Sequence, residues 1–294
     1  MTPPVPAPPP APWDSDSLWV KAKLFINYAL DEKPESTFDE RALWASLSLE
    51  LLAKAALARA SPLLIATPSE DGKNLLAAAG LTNDKATFKT ITASTVFNRC
   101  ALAFKPFSDR AAIRIAEDRN AYLHSAATNF TPTSETDWWP RFWALSRILV
   151  NACDRDLVQF VGEAHVPIVE AALAQNQRNV EERVHMILER AKQRLARYEA
   201  GEMSGSELRG WERSTNRTIG LAYATVETCP ACGENEGTLE GDDVISTEMR
   251  DEQVPEDDFG VSLDLEVAAE YFSCANCQCV LDSFELLQEA NLPE

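Results

Sequence analysis

The chain has 294 residues, which is enough for two domains that each bury a core of their own. Its composition, 45% hydrophobic and 25% charged, is that of a globular protein, and no apolar run reaches the roughly 18 residues that a membrane-spanning helix needs. The first residues lack the basic and apolar regions of a secretory signal, so a cytoplasmic protein without membrane association is expected.

The net charge of -19 is concentrated at one end of the chain. Residues 220–294 hold 19 of the 46 acidic residues and one basic residue, Arg250, which leaves 27 acidic and 26 basic residues in the rest. A strongly acidic balance argues against a protein that coats nucleic acid. The near-neutral remainder of the chain is still compatible with a local RNA site.

The N-terminal half of the sequence predicts a helical domain behind a short tail. Residues 1–12 are rich in proline and are expected to stay disordered and extended. Residues 13–160 show helical periodicity with short joints, which predicts a mainly α, up-and-down helical bundle. Asp14 and Ser15 are the candidate N-caps of its first helix, and Thr37 is that of the second.

Residues 161–218 are predicted to form a helical connector, with one long helix from about Val166 to Tyr198. Apolar residues recur every three or four positions along this helix, which suits contact with a partner helix. This apolar stripe consists of Val180, Val184, Ile187, Ala191, Leu195 and Tyr198. The other faces are partly basic, which is most simply a solvated surface. These basic residues are Arg178, Arg183, Arg190, Lys192, Arg194 and Arg197.

Residues 219–294 contain two C-x-x-C pairs, formed by Cys229, Cys232, Cys274 and Cys277. In a chain without a signal peptide this spacing favours a metal over disulfides. Four thiolates satisfy tetrahedral Zn²⁺ and leave no open position, so we expect one structural zinc ion per chain. Apolar and β-branched runs before each pair predict the strands of a small C-terminal β zinc ribbon.

Several features of this acidic zinc-ribbon domain stay open. Cys279 either replaces Cys277 as a ligand or remains a spare thiol. The 41-residue insert between the two pairs is expected to be a solvated acidic loop. Because the domain is so acidic, it should not bind RNA; it suits a protein partner, or intramolecular docking on the chain's own basic helix, where it would restrain the protein.

A later helix of the bundle, predicted from Asp109 to about Ala127, contains Arg119, Asn120 and His124. Cleavage of RNA without a metal requires removal of a 2′-hydroxyl proton, stabilisation of a pentavalent phosphorane and protonation of the 5′-oxygen. Histidine serves as acid or base near neutral pH, and arginine stays charged and matches phosphate oxygens. Asn120 is expected to orient the histidine or to donate to phosphate.

This Arg-polar-x3-His spacing resembles the signature of the HEPN superfamily, and the helix around Glu50 and Lys54 resembles an early HEPN helix. The resemblance covers about residues 13–160. It implies a metal-independent endoribonuclease with a toxin or antiviral-defence role, whose composite Arg/His site lies at a homodimer interface. One histidine cannot readily act as base and acid in the same step, whereas two copies of the chain supply two.

A structural interpretation of the same residues remains open. In it, Arg119 forms an ion pair with Asp118 or Glu117 on the helix surface, and His124 is a satisfied core histidine. The protein would then be a non-catalytic HEPN-like dimerisation scaffold whose zinc ribbon recruits a protein partner. A DNA-binding regulator that uses the zinc ribbon is disfavoured by the charge of that domain.

Overall fold

A computed structural model describes residues 10–31, 36–82, 88–214, 217–252 and 260–293. The protein is mainly helical with a small antiparallel sheet near its C-terminus, as the sequence predicted. It divides into two compact units, Met1–Asn176 and Gln177–Glu294. Most of the proline-rich tail, residues 1–9, lies outside the described residues.

The described part of the first unit is built from helices. In chain order these are α1 (Ser15–Leu30), α2 (Phe38–Ala60), a 3-10 turn (Pro62–Ile65), α3 (Lys73–Ala78), α4 (Ala93–Ala103), α5 (Asp109–His124), α6 (Glu135–Ala152) and α7 (Leu157–Val161). The long helix α8, Val166–Glu199, begins in this unit and ends in the second one. An up-and-down bundle of the HEPN type stays a prediction.

Side-chain caps explain where the first helices begin. The Asp14 carboxylate accepts a hydrogen bond from the Ser17 amide at 2.8 Å, and the Thr37 hydroxyl accepts one from the Glu40 amide at 3.3 Å. These bonds satisfy amides that the first turn of a helix leaves without a partner. The caps predicted at Asp14 and Thr37 are therefore confirmed, whereas Ser15 is the first residue of α1 and not its cap.

The core of the first unit lies around α2, which packs against α1, α4, α5 and α6. Small buried residues along α2 let neighbouring helices approach closely, and the Ser48 hydroxyl donates to the Ala22 carbonyl of α1 at 2.7 Å. Large side chains fill the remaining space, including Phe97, Phe142 and Trp143. As a result of this packing, the face of α5 that carries Arg119 lies beside α2.

The second unit contains the end of α8, a short helix α9 (Gly205–Arg213), two small sheets and a final helix α10 (Phe284–Glu289). The larger sheet is antiparallel with strand order β1-β2-β5-β6. Its strands are β1 (Tyr223–Glu227), β2 (Gly237–Gly241), β5 (Tyr271–Cys274) and β6 (Val280–Leu281). The strands β3 (Val244–Glu252) and β4 (Gly260–Val267) pair with each other as a separate antiparallel sheet.

One prediction for this unit was wrong. The insert between the cysteine pairs is not simply a solvated loop, because β2 and the paired strands β3 and β4 lie within it; residues 253–259 are outside the described part. The apolar stripe of α8 contacts more than a helix. Tyr198 stacks on Trp211 of α9, and Val180, Val184 and Ala191 are buried in one core with Leu286 of α10, the cysteines and Phe272 of β5.

Candidate metal centre and candidate arginine–histidine site

Two tight turns of similar geometry hold the four cysteines. In the first, Gly233 has a φ of 77° and its amide donates to the Cys229 carbonyl at 2.9 Å. In the second, Gln278 has a φ of 59° and its amide donates to the Cys274 carbonyl at 3.0 Å. Each turn directs two thiols to one side. Glycine adopts the positive φ of Gly233 without strain, because it has no Cβ atom.

The four sulfur atoms form one cluster. The Sγ atoms of Cys229, Cys232, Cys274 and Cys277 all lie within 4.8 Å of one another. The Cys229 and Cys277 sulfurs are 3.5 Å apart, and those of Cys232 and Cys274 are 3.7 Å apart. A tetrahedral Zn²⁺ with bonds of about 2.3 Å would separate its sulfur ligands by about 3.8 Å. The cluster can therefore hold a metal ion with little rearrangement.

The surroundings of the cluster match a structural metal site. Three of the four cysteines are fully buried, and the Ala231 amide donates to the Cys229 sulfur at 3.4 Å. The Asn276 side-chain amide lies 3.6 Å from the Cys232 sulfur, where it can donate. Such donors offset the negative charge of thiolate ligands. Four cysteine ligands leave no coordination position for a substrate.

Cys279 lies beside the cluster but outside the set of four. Its side chain is buried, and its carbonyl accepts a hydrogen bond from the Cys274 amide at 3.0 Å. Contact with the Cys229 thiol raises the pKa of Cys279 to about 12, whereas hydrogen bonds from Cys274, Cys277 and Cys279 lower the pKa of Cys229. A metal ion bound at this cluster would lower the pKa of its cysteines, because the thiolate is the form that binds a metal.

Gln278 joins the second cysteine turn to neighbouring segments of this unit, a role that the sequence analysis missed. It is buried, and its side-chain amide donates to the Trp211 carbonyl of α9 at 2.7 Å. Its Oε1 atom accepts from the guanidinium groups of Arg194 at 3.4 Å and Arg217 at 3.2 Å. Its position directly after Cys277, equivalent to Gly233 in the first turn, is the sequence signal that could have found it.

Arg119 is buried on the face of α5 that packs toward α2. Its Nη1 atom donates to the Glu50 carboxylate at 2.6 Å, and the same carboxylate accepts from Lys54 at 2.7 Å. The Nε and Nη2 atoms of Arg119 lie 3.3 and 3.2 Å from the Asn120 Oδ1 atom. Arg119 is thus part of an ionic network with α2 and forms no surface pair with Asp118 or Glu117.

Ionisation of Glu50 depends on its two cationic neighbours. Burial opposes the charged carboxylate, but charge and hydrogen bonds from Lys54 and Arg119 outweigh burial and lower the pKa of Glu50 below its ordinary value of 4.5. Glu50 therefore carries its negative charge at neutral pH. The network of one carboxylate and two cations has a net charge of +1.

His124 is the last residue of α5, and its side chain is exposed. Within the described parts of the chain it forms no hydrogen bond or ion pair. Residues five apart on a helix differ by about 140° in direction, which explains why Arg119 is buried while His124 faces outward. The structure therefore brings Arg119 and Asn120 together and leaves His124 apart. The interpretation of His124 as a core histidine was wrong.

We expect Glu50→Gln to lower the free energy of unfolding of the first unit by about 3 kcal/mol. The substitution keeps the shape of the side chain, but it leaves the cations of Arg119 and Lys54, whose side chains are 9% and 11% exposed, without a counter-charge. Urea unfolding followed by circular dichroism measures the change. Glu117→Gln, on the exposed face of α5, is the matched control and should have little effect.

The lowered pKa of Glu50 also determines how its contribution to the stability of the first unit changes with pH. Its stabilising contribution is complete above the ordinary value of 4.5 and is lost as the pH falls through the lower pKa of the folded state. The stability difference between the wild type and Glu50→Gln should therefore shrink on acidification below pH 4.5. An unchanged difference would show that Glu50 is not ionised in the native network.

Comparisons with protein-family models, with curated proteins and with solved structures found no match to this chain. None of the helices in the described parts of the chain is long and apolar enough to cross a membrane. The HEPN resemblance therefore rests on the residues of α2 and α5 described above.

Proposed function

We propose that the protein is a metal-independent endoribonuclease of the HEPN type that acts as a homodimer. The observation that carries this proposal is the network in which Glu50 and Asn120 hold the guanidinium of Arg119. A bidentate cation that is fixed before substrate arrives loses little conformational entropy when it contacts a phosphate. RNA cleavage in the presence of EDTA, compared between wild type and His124→Ala, tests the proposal.

The charge of the network supports binding of a phosphate. One positive charge of the Glu50, Lys54 and Arg119 group is not compensated within the group. Arg119 and Lys54 are mostly buried, so that charge is less screened by water than a surface charge would be. A phosphodiester carries one negative charge, and the phosphorane formed from it carries more. The network is therefore suited to stabilise the transition state.

The exposure of His124 supports a role on substrate. Its imidazole is accessible at the end of α5, next to Leu123, whose side chain is 49% exposed. In the proposed dimer, one histidine removes the 2′-hydroxyl proton and the other protonates the leaving 5′-oxygen. Attack of the 2′-oxygen on phosphorus breaks the bond to the 5′-oxygen and leaves a 2′,3′-cyclic phosphate on the upstream fragment.

A second candidate function is favoured by a separate observation. Arg119 is only 7% exposed and already has an ion-pair partner, which is the arrangement of a structural arginine. On this alternative the helical unit is a non-catalytic dimerisation scaffold of HEPN type, and the C-terminal domain recruits a protein partner. The scaffold predicts a dimer that does not cleave RNA under any of the conditions tested.

We also infer that the metal of the cysteine cluster is Zn²⁺ with a structural role. The four buried or half-buried sulfurs, their spacing and the closed donor set support this assignment. The acidic C-terminal domain is proposed to act as an accessory module that binds a protein partner or restrains the nuclease, as a mimic of nucleic acid charge.

A further inference from the structure

An open cleft in the second unit is lined by arginines from α8. Arg190, Arg194 and Arg197 line the cleft together with Glu207 of α9, and the cleft has a volume of about 500 Å³. Among the described residues that line it, Glu207 is the one carboxylate. This concentration of positive charge stands out in a unit whose residues after 219 contain a single basic residue.

Arg194 of the cleft and the nearby Arg217 are held in position by contacts with Trp211 and Gln278. The Arg194 guanidinium lies over the Trp211 ring, 5.3 Å from its centroid, and both Arg194 and Arg217 donate to the same Gln278 oxygen. The Nε atom of Arg217 is buried without a hydrogen-bond partner in the described structure. Because Gln278 follows Cys277, the second cysteine turn sets the position of both guanidinium groups.

The like charges in the cleft repel one another. Burial lowers the pKa of Arg194, and the charges of Arg217 and Arg190 lower it further. Glu207 is already engaged, since it accepts from Arg197 at 2.9 Å and from the Ser204 amide at 2.8 Å. Arg190 forms no hydrogen bond or ion pair with the described residues. An anion that enters the cleft would relieve this repulsion.

We propose that this cleft binds the phosphate group of a small phosphomonoester, and that Arg190, Arg194 and Arg197 are its ligands. Guanidinium groups donate in pairs to phosphate oxygens. A monoester carries close to two negative charges near neutral pH, so it competes with Glu207 better than a singly charged carboxylate does. The acidity of the domain repels a long polyanion, which favours a small ligand over a nucleic acid strand.

None of the described residues that line the cleft is aromatic. Trp211 is buried, with Tyr198 stacked at a centroid distance of 5.0 Å and Arg194 over its ring. Recognition by stacking, as in single-strand nucleic acid sites, is therefore not expected at Trp211. Binding should depend on the phosphate group and not on the identity of the base.

Isothermal titration of the full chain, purified with its metal, tests the proposal with inorganic phosphate, AMP, adenosine and a short RNA as probes. We expect AMP and phosphate to bind, adenosine not to bind, and affinity to fall as salt is raised. Arg190→Gln should weaken AMP binding about tenfold, as for loss of one charge-assisted contact. Arg183→Gln, an exposed arginine on the same helix, is the matched control and should change it less than about twofold.

Glu207→Gln is expected to strengthen binding, which is a result that a misfolded variant would not give. Glutamine still forms the capping box with Ser204, but it no longer competes for the arginines, so AMP should bind several-fold more tightly. Equal binding of adenosine and AMP, or no loss in Arg190→Gln, would overturn the phosphate site. If Arg190→Gln weakened binding of the RNA more than binding of AMP, the assignment of the cleft to a small ligand would be overturned.

Discussion

Replacing His124 with alanine is expected to reduce cleavage of RNA in EDTA by about 100-fold or more. The expectation follows from the general acid and base roles proposed for the imidazole, because groups of this kind contribute about 10²–10⁴ to a rate. His124 is exposed and forms no hydrogen bond with described residues, so the substitution should leave the stability of the helical unit unchanged. His185→Ala, an exposed histidine on α8, is the matched control.

The products of the reaction provide an independent readout. Cleavage by the neighbouring 2′-hydroxyl leaves a 2′,3′-cyclic phosphate or 3′-phosphate upstream and a free 5′-hydroxyl downstream. Mass spectrometry of the fragments distinguishes these ends from the 5′-phosphates that many metal-dependent nucleases leave. Full activity of the His124→Ala homodimer would refute the nuclease proposal and leave the scaffold.

Arg119 requires a variant that separates its structural role from its catalytic one. Arg119→Ala would leave Glu50 with Lys54 alone and would test stability as much as activity. Arg119→Lys keeps a cation for Glu50, but it lacks the planar fork that contacts two phosphate oxygens. We therefore expect Arg119→Lys to fold and to cleave RNA poorly.

Mixing the two variants tests the composite site. A heterodimer of one Arg119→Lys chain and one His124→Ala chain retains one intact arginine and one intact histidine. Partial recovery of cleavage above that of either homodimer would show that the two chains share a site. Activity that never exceeds the sum of the two homodimers would argue against sharing.

Removal of the metal is expected to unfold the second unit and leave the first intact. Metal binding to four-cysteine sites contributes on the order of 10 kcal/mol to folding, which is comparable to the whole stability of a small domain. The cysteines are central to the core of this unit, together with Val180, Val184 and Phe272. The first unit has a separate core around α2 and contains no part of the cluster.

Elemental analysis and limited proteolysis measure this effect. One zinc ion per chain is expected, and chelation should expose cleavage sites after residue 176 while residues 10–176 stay protected. Cys277→Ser should lose the metal, whereas Cys279→Ser should keep it; Cys153→Ser, in the first unit, is the control for loss of a thiol. Retention of zinc in Cys277→Ser with its loss in Cys279→Ser would reverse the ligand assignment.

Local patterns predicted much of the secondary structure and the composition of the cysteine cluster. The caps at Asp14 and Thr37 follow from side chains that accept hydrogen bonds from nearby backbone amides. The extent of α8 follows from apolar side chains that recur with the helical period. The two C-x-x-C pairs predicted one cluster of four cysteines, because the tight turn of each pair points its two thiols in the same direction. Residues that lie close together in the sequence are thus enough to predict these features.

The insert was predicted poorly because its strands pair through backbone hydrogen bonds between distant residues. The acidic composition favours solvent exposure, but it does not exclude the pairing of β3 with β4. The strand β2 is short and begins and ends with glycine, so it lacks the usual β-strand signal. A Cβ atom at Gly237 would lie 2.5 Å from the Phe272 ring, a close approach that only the sheet reveals.

The sequence by itself determined the elements whose cause is local: the helices, their caps, the paired cysteines and the separation of acidic and neutral segments. Only the tertiary structure decided which distant side chains contact one another. It pairs Arg119 with Glu50, 69 residues away, buries the stripe of α8 against the cysteine core, and places Gln278 between two arginines. Such contacts depend on how helices and sheets pack, and packing energy is the sum of many weak contacts that no short segment encodes.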